Sequence, residues 1–415
     1  MDNVFSLYMD NYRGFDSTLV TLKDVNFLVG ENSSGKSTVI SLLKTLLANQ
    51  FWGDVNLNCI KEEINTFDEL VNQYSDSRDF FTVGVAERGK KSFFIILKYM
   101  KGEDGLPKLC SYKSYIDGWS VSVSLYPQPQ CNVKKEETPE LQTWIKCEEG
   151  YKLNEDLNHL VSIPLPFIIR LNMMHYKLYS DRDVENISQI VVPSNNKASW
   201  IAPIRAKAMS LYSAVSRKHS EDGTHIPVVI KNNVDNELLQ RKLKEFGRKS
   251  SLFDDIEIDS YGSDHNNAPF SIKAVYNRVK TNISEVGQGV SQLLPIFVEC
   301  YMRKNALISI QQPEVHLHPK AQAAFGEVLY EVSRAPYNNQ ILIETHSDYT
   351  IDRYRYLINR KGARKKSTQI LFFVRTKTGH AIKTIEIGEK GNFPEKMPKE
   401  YGKFFIDEEL RMLSV

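Results

Sequence analysis

The octapeptide Gly30-Glu-Asn-Ser-Ser-Gly35-Lys36-Ser37 places two glycines, a lysine and a hydroxyl at the spacing G-x-x-x-x-G-K-[ST]. Glycines permit a tight turn in which successive backbone N–H groups face one anion, and a helix starting beside that turn adds the positive end of its dipole. Lys36 then neutralises the outer phosphates of a nucleotide, and the Ser37 hydroxyl is the metal-side ligand for Mg²⁺. Asn32, Ser33, Ser34 and Thr38 complete the segment whose backbone would line the phosphates.

The positioning elements are legible on either side. DVNFLVG, ending at Gly30, is a short apolar run of strand type, Leu19 to Val29 reads as a strand pair, and STVISLLKTLL from Ser37 to Leu47 has helical spacing of apolar residues. Strand, loop and helix are thus expected in the order that phosphate binding requires.

Chemistry recurs in the second half. Glu285-Val-Gly287-Gln-Gly289-Val-Ser-Gln-Leu-Leu-Pro295 precedes Ala306-Leu-Ile-Ser-Ile-Gln311-Gln312-Pro-Glu314-Val-His316-Leu-His318-Pro319, and NQILIETHS brings Glu344 and His346 after a third apolar strand. NALISIQQP and NQILIETHS flank a helical stretch from Pro319 to Ser333, and strand, helix, strand at this spacing implies a parallel sheet. Gln311 and Gln312 are neutral amides: they can hydrogen-bond a metal-bound water but cannot accept its proton. Glu314 is the nearby carboxylate left to orient or deprotonate water. His316 and His318 could be read as a metal pair, although no third ligand follows at suggestive spacing.

These segments resemble the RecF- and OLD-like ABC-type AAA ATPases that carry a DUF3696 C-terminal region, as found in bacterial anti-phage systems. The resemblance covers roughly the first fifty residues and 200 to 415. It implies an α/β ABC-ATPase head with a mixed central sheet, an inserted lobe and a small C-terminal α/β region. It also implies ATP and Mg²⁺ as cofactors, and Gly287 and Gly289 at a helix N-terminus capping the γ-phosphate held by a second subunit. In the family pattern position 311 is a Mg²⁺-linked carboxylate, position 312 a general base in many relatives, and His346 the switch histidine that contacts the γ-phosphate. Three explanations of Gln311 stand: a natural slow enzyme, a natural ATP sensor, or an engineered Glu→Gln change that traps nucleotide. Arg13, in Asn11-Tyr-Arg-Gly-Phe15, matches a basic residue near the nucleotide phosphates. Trp200-Ile-Ala-Pro203-Ile-Arg205 with Tyr212 resembles a Gly-Pro-Leu-Arg stretch in which Arg205 reads as structural.

The organisation expected is a head from 1 to 55, an inserted lobe from 56 to 195, the rest of the head from 196 to 360, and a C-terminal region from 361 to 415. FFTVGVAERGKKSFFIILKYM suggests hairpins; Tyr126 to Leu153, with PQPQ and KKEETPE, reads as an exposed linker; Asn236 to Phe246 reads as a surface helix. The tail from Ile385 to Asp407 resembles the DUF3696 end, with Phe393 where a Trp is usual, and carries no acidic cluster of Toprim nuclease type. A separate effector protein, a nuclease or toxin, is the implied partner of a homodimer or higher oligomer.

Composition bounds the rest. The 415 residues are 41% hydrophobic and 25% charged, with 53 Lys plus Arg against 51 Asp plus Glu, so no whole-chain field draws nucleic acid. A local contact is left open at the basic run Arg353, Arg355, Arg360, Lys361, Arg364, Lys365 and Lys366. Five scattered cysteines without a CxxC pair fit reduced thiols, and with no apolar run of membrane length the expected location is the cytoplasm.

Overall fold

A computed structural model describes residues 4–60, 64–89, 92–179, 198–215, 218–262, 268–362 and 368–402. In chain order it begins with β1 (Val4–Asp10), β2 (Thr18–Thr21), β3 (Val25–Gly30), α1 (Lys36–Leu46), α2 (Phe51–Asp54), α3 (Phe67–Leu70), β4 (Phe80–Arg88), β5 (Phe93–Lys101), β6 (Pro107–Ile116), β7 (Trp119–Ser124), β8 (Gln130–Lys135), α4 (Leu141–Lys146), β9 (Lys152–Leu153), α5 (Glu155–Val161) and α6 (Phe167–Tyr179). It continues with β10 (Ser199–Ile201), α7 (Ile226–Asn232), α8 (Glu237–Ser250), β11 (Asp255–Ser260), β12 (Phe270–Tyr276), β13 (Val279–Asn282), α9 (Gln288–Met302), β14 (Leu307–Gln311), α10 (Pro319–Val332), β15 (Gln340–Glu344), α11 (Asp348–Lys361), β16 (Thr368–Thr376) and β17 (Gly379–Glu386). The described residues fall into two compact units. One takes those within 1–22, 31–196 and 373–382, and the other those within 23–30, 197–372 and 383–415.

The first unit is built on an antiparallel eight-stranded sheet in the order β2-β1-β4-β5-β6-β7-β8-β9. Its strands alternate, and the face made by Tyr8, Ala86, Phe94, Ile96 and Tyr115 buries Leu141 and Trp144 of α4. That packing corrects the linker expected from 126 to 153: β8, α4 and β9 lie there, because buried Cys131, Leu141 and Trp144 outweigh a polar composition. The strand pair expected at 19–29 is also corrected. β2 pairs with β1, whereas β3 belongs to another sheet.

His175, on α6, is buried and shares a 2.9 Å hydrogen bond with the Ser114 hydroxyl; burial pushes its pKa down to about 3. Its ring therefore stays neutral in the fold while the unfolded chain takes up a proton below about pH 6.5. Stability is held above that pH and lost as pH falls toward 3. Between pH 7 and pH 5 the expected loss is about 2 kcal/mol. Urea midpoints at the two pH values check this, the pH slope shrinking in His175→Gln.

A six-stranded sheet has the order β10-β14-β15-β3-β16-β17, its β10, β14, β15 and β3 lying in the second unit and mutually parallel. A three-stranded antiparallel sheet, β11-β12-β13, accompanies it. β3 is buried along its whole length, as a parallel strand covered on both faces must be. Its one polar side chain, Asn26, is fully buried and satisfied: it donates to Lys23 O and Ile341 O and accepts from Lys23 N and the Gln369 amide. β14, α10 and β15 form the strand-helix-strand unit expected from the sequence. The expected surface helix is α8, with Asn236 as its N-cap and Leu239, Leu243 and Phe246 buried.

The sheets run across the divisions expected at 55, 195 and 360. β1 and β2 belong to the sheet of residues 80–153, and β16 and β17 to the sheet of β3. Strand pairings across more than fifty residues leave no trace in local composition. Residues 180–195, Arg364, Lys365, Lys366 and 403–407 lie outside the described residues. No helix among the described residues is long and apolar enough to cross a membrane.

Candidate functional site

The phosphate loop follows β3 without a break. Gly30, Ser33 and Gly35 all have positive φ, at 148°, 59° and 97°. Such left-handed steps turn successive N–H groups inward, and α1 starts directly after them at Lys36. Gly35 is required twice over, because besides its φ a Cβ there would lie 2.5 Å from the Phe15 ring. Phe15 is held by the tight turn Tyr12–Phe15, closed by two 2.9 Å main-chain hydrogen bonds. The Lys36 ammonium is buried and donates to Glu31 O at 2.7 Å, an oxygen that also accepts from the Ser34 hydroxyl at 2.7 Å. Asn32, Ser33 and Ser37 are exposed, and Thr38 is half-buried. The loop therefore offers N–H groups, one buried ammonium and one free-standing hydroxyl, a set suited to a polyphosphate with its divalent cation.

Arg13 lies in the turn that seats Phe15 against Gly35. Its Nη2 donates to Asn65 Oδ1 at 3.0 Å, and its buried Nε has no partner among the described residues. On the far side, Arg375 grips Glu31 Oε2 through Nε at 3.0 Å and Nη2 at 2.8 Å.

In the second unit the carboxyl ends of three adjacent parallel strands stand level, Gln311 beside Glu344 and Glu344 beside Leu28. In open parallel sheets this end is where ligands are held. Thr345 N donates to Leu28 O and Gln312 N to Glu344 O, which continues the ladder into the loops. The Glu314 carboxylate braces the next loop, accepting from Thr345 Oγ1 at 2.8 Å and from His346 N at 2.6 Å. Glu314 thus fixes the backbone that carries His346. Gln312 and His316 hold positive φ, at 45° and 65°, a strained form for side-chain-bearing residues. His318 is the N-cap of α10, its Nδ1 accepting from Lys320 N, while His316 is exposed. Neither joins a metal-ligating group among the described residues.

Gly287 is the exposed N-cap of α9, and a Cβ there would meet nothing within 4 Å. At Gly289 a Cβ would lie 2.9 Å from His316 O. Gly289→Ala is therefore expected to cost about 1–3 kcal/mol of stability by overpacking, whereas Gly287→Ala leaves stability nearly unchanged. Chemical denaturation of the two variants separates them.

Two residues gain a role that the sequence did not give them. Arg205, only 4% exposed, donates to Ala202 O at 3.0 Å, Gln311 O at 3.2 Å and Gln312 O at 3.3 Å. Burial pushes its pKa down to about 10, against the pull of the Glu314 carboxylate. Glu344, 5% exposed, puts a carboxylate one strand away from the amide of Gln311. The signal available was its place at the end of an apolar strand beside the strand of Gln311. In the basic run, Arg353 pairs with Glu327 and Arg355 with Asp352, and the Arg355 guanidinium stacks on Phe393 at 3.4 Å.

Residues 194–352 match the family described as AAA domain, putative AbiEii toxin, Type IV TA system, and residues 4–160 match the AAA ATPase domain family. No curated protein matches the sequence. Among solved structures, the Smc head domain with an extended coiled coil bound to the C-terminal domain of ScpA, derived from Pyrococcus furiosus, is 11% identical; the match covers 99% of this chain and 100% of that one at a TM-score of 0.45. The SmcHead bound to the C-winged helix domain of ScpA is 12% identical, covering 92% and 97%, at 0.42. The SMC head domain from Thermotoga maritima is 12% identical, covering 92% and 99%, at 0.37.

Proposed function

We propose that this chain, whose residues 4–160 and 194–352 match AAA ATPase families, is an ABC-type ATP-driven switch that hydrolyses slowly, dimerises with ATP and governs a separate effector. The observation that carries this reading is the phosphate loop, with three left-handed residues, the N-terminus of α1 and the buried Lys36 ammonium converging on one anion site. Bound ATP–Mg²⁺ supplies a phosphoanhydride bond and a divalent charge. Lys36, which donates to Glu31 O here, would neutralise the phosphates, the loop N–H groups would hold phosphate oxygens, and the Ser37 hydroxyl would be the metal-side ligand. Gln311 would hydrogen-bond a water on that cation but has no basic group to take its proton, which makes for slow turnover. Arg13, whose Nε has no partner among the described residues, is the further cation assigned to the phosphates.

His346, held on the backbone that Glu314 braces, is the residue that responds to the γ-phosphate. Gly287 and Gly289 present the N-terminus of α9 to the nucleotide of a second copy. Nucleotide then favours the closed dimer by its greater affinity for that state. The effector is a nuclease or toxin in bacterial antiviral defence, a reading supported by the toxin–antitoxin description of the family matched at 194–352. A second reading, a non-hydrolysing ATP-sensing scaffold, is favoured by the two amides at 311 and 312. Direct DNA clamping of the RecF kind has less support, since Arg353 and Arg355 are already ion-paired.

Light scattering with and without ATP–Mg²⁺ tests the switch. The expected result is a doubled mass with nucleotide and none in Lys36→Ala. An unchanged mass at saturating ATP overturns dimerisation.

A further inference from the structure

His219, His225 and Glu299 meet in the second unit at a junction that the ATPase reading leaves unused. Their ligand atoms all lie within 4.8 Å of one another, the one such trio of His, Cys, Asp or Glu side chains among the described residues. Glu299 comes from α9, the helix that starts at Gly287. His225 is the N-cap of α7, and His219 precedes it. Glu299 Oε1 lies 2.7 Å from His225 Nε2 and 3.5 Å from His219 Nε2, and the two imidazole rings stand 4.7 Å apart. We propose that this junction binds one divalent transition-metal ion of the zinc class, through Nε2 of His219, Nε2 of His225 and Oε1 of Glu299.

The donor chemistry fits. Two imidazoles and one carboxylate are a zinc-type set, with a fourth position left for water. Glu299 Oε2 is already engaged by Arg303 Nε at 2.7 Å and the Ser199 hydroxyl at 2.9 Å, which orients the carboxylate and leaves Oε1 toward the rings. Ligating carboxylates are held by outer hydrogen bonds of this kind. The positive charge of Arg303 lowers the donor strength of the carboxylate, so the site is weaker than a closed cysteine site. Access is built in: the His219 side chain is 33% exposed, against 7% for His225 and 7% for Glu299.

The proton bookkeeping is simple. Without metal, His225 Nδ1 accepts from Ser220 N at 3.2 Å, so Nε2 carries the ring proton and donates it to Glu299. Metal at Nε2 shifts that proton to Nδ1 and gives up the Ser220 hydrogen bond; His219 Nε2, 3.1 Å from the Ser199 hydroxyl that donates to Glu299, likewise moves its proton to Nδ1 and gives up that contact. The His219–Glu299 separation already suits two ligands of one ion, and the His225–Glu299 pair opens by about 0.6 Å to reach tetrahedral spacing. Ser199 lies on β10, which pairs with β14, the strand of Gln311. The ion would therefore tie α9 and α7 to the edge of the sheet that carries the catalytic loops.

The test uses the full chain, stripped with a chelator and titrated with Zn²⁺. Bound zinc is measured by elemental analysis after gel filtration, and Co²⁺ is added separately as a spectroscopic probe. We expect one equivalent of zinc, four-coordinate cobalt bands, and at least a tenfold affinity loss in both His219→Ala and His219→Gln. The Gln variant keeps hydrogen-bonding capacity toward Ser199 without ligating, so a packing defect would spare it. Zinc binding unaffected by either substitution, or no zinc retained at micromolar free metal, overturns the site. Thermal midpoints rising with zinc in the unsubstituted chain alone would corroborate it.

Discussion

Gln311→Glu is expected to raise ATP turnover by roughly 10²-fold, because a carboxylate there offsets the charge of Mg²⁺ and can accept a proton, which the amide cannot. The substitution changes charge without changing place. Residue 311 ends β14, its side chain is only partly buried, and its backbone oxygen is clamped by Arg205 whatever side chain it bears. Steady-state phosphate release, compared between the two chains at equal nucleotide occupancy, reads the effect. If turnover stays flat while ATP remains bound, the sensing scaffold is the correct account. Glu344 bears on the size of the gain: with a carboxylate already one strand away, a second adds repulsion until the divalent cation binds. The gain should therefore rise with Mg²⁺ concentration.

Lys36→Ala is expected to weaken ATP binding by about 10²-fold, the worth of a buried charge-assisted contact of up to about 3 kcal/mol. Calorimetric titration measures it directly. The fold should survive within about 1 kcal/mol, because Glu31 O keeps its hydrogen bond from the Ser34 hydroxyl when the ammonium is gone. A variant that binds ATP normally would place the nucleotide elsewhere.

The parts of this molecule that were readable from sequence are those whose chemistry is local. The phosphate loop needs glycines and a lysine within eight residues, and both glycines are found in left-handed backbone. The strand-helix-strand from 307 to 344 declares itself through short apolar runs at regular spacing. What escaped depends on distant partners. β1 gives no sign that it pairs with β4 more than seventy residues on, and the polar stretch around 130–153 conceals two strands and a helix anchored by Trp144. Arg205 reads as structural, but its partners, the carbonyls of 311 and 312, lie over a hundred residues away and cannot be named from the sequence. Glu314 reads in the sequence as a carboxylate placed for water. Its two hydrogen bonds to Thr345 and His346 add a second task that spacing alone could not reveal.

Arg205 holds residues 311 and 312 by their main-chain oxygens, and this makes the pair an interchangeable socket. Either side chain can be exchanged during evolution, acid for amide or amide for acid, while the peptide that presents it keeps its position. Fast, slow and silent versions of one scaffold are then single substitutions apart, and the speed of the clock is inherited separately from the case that holds it.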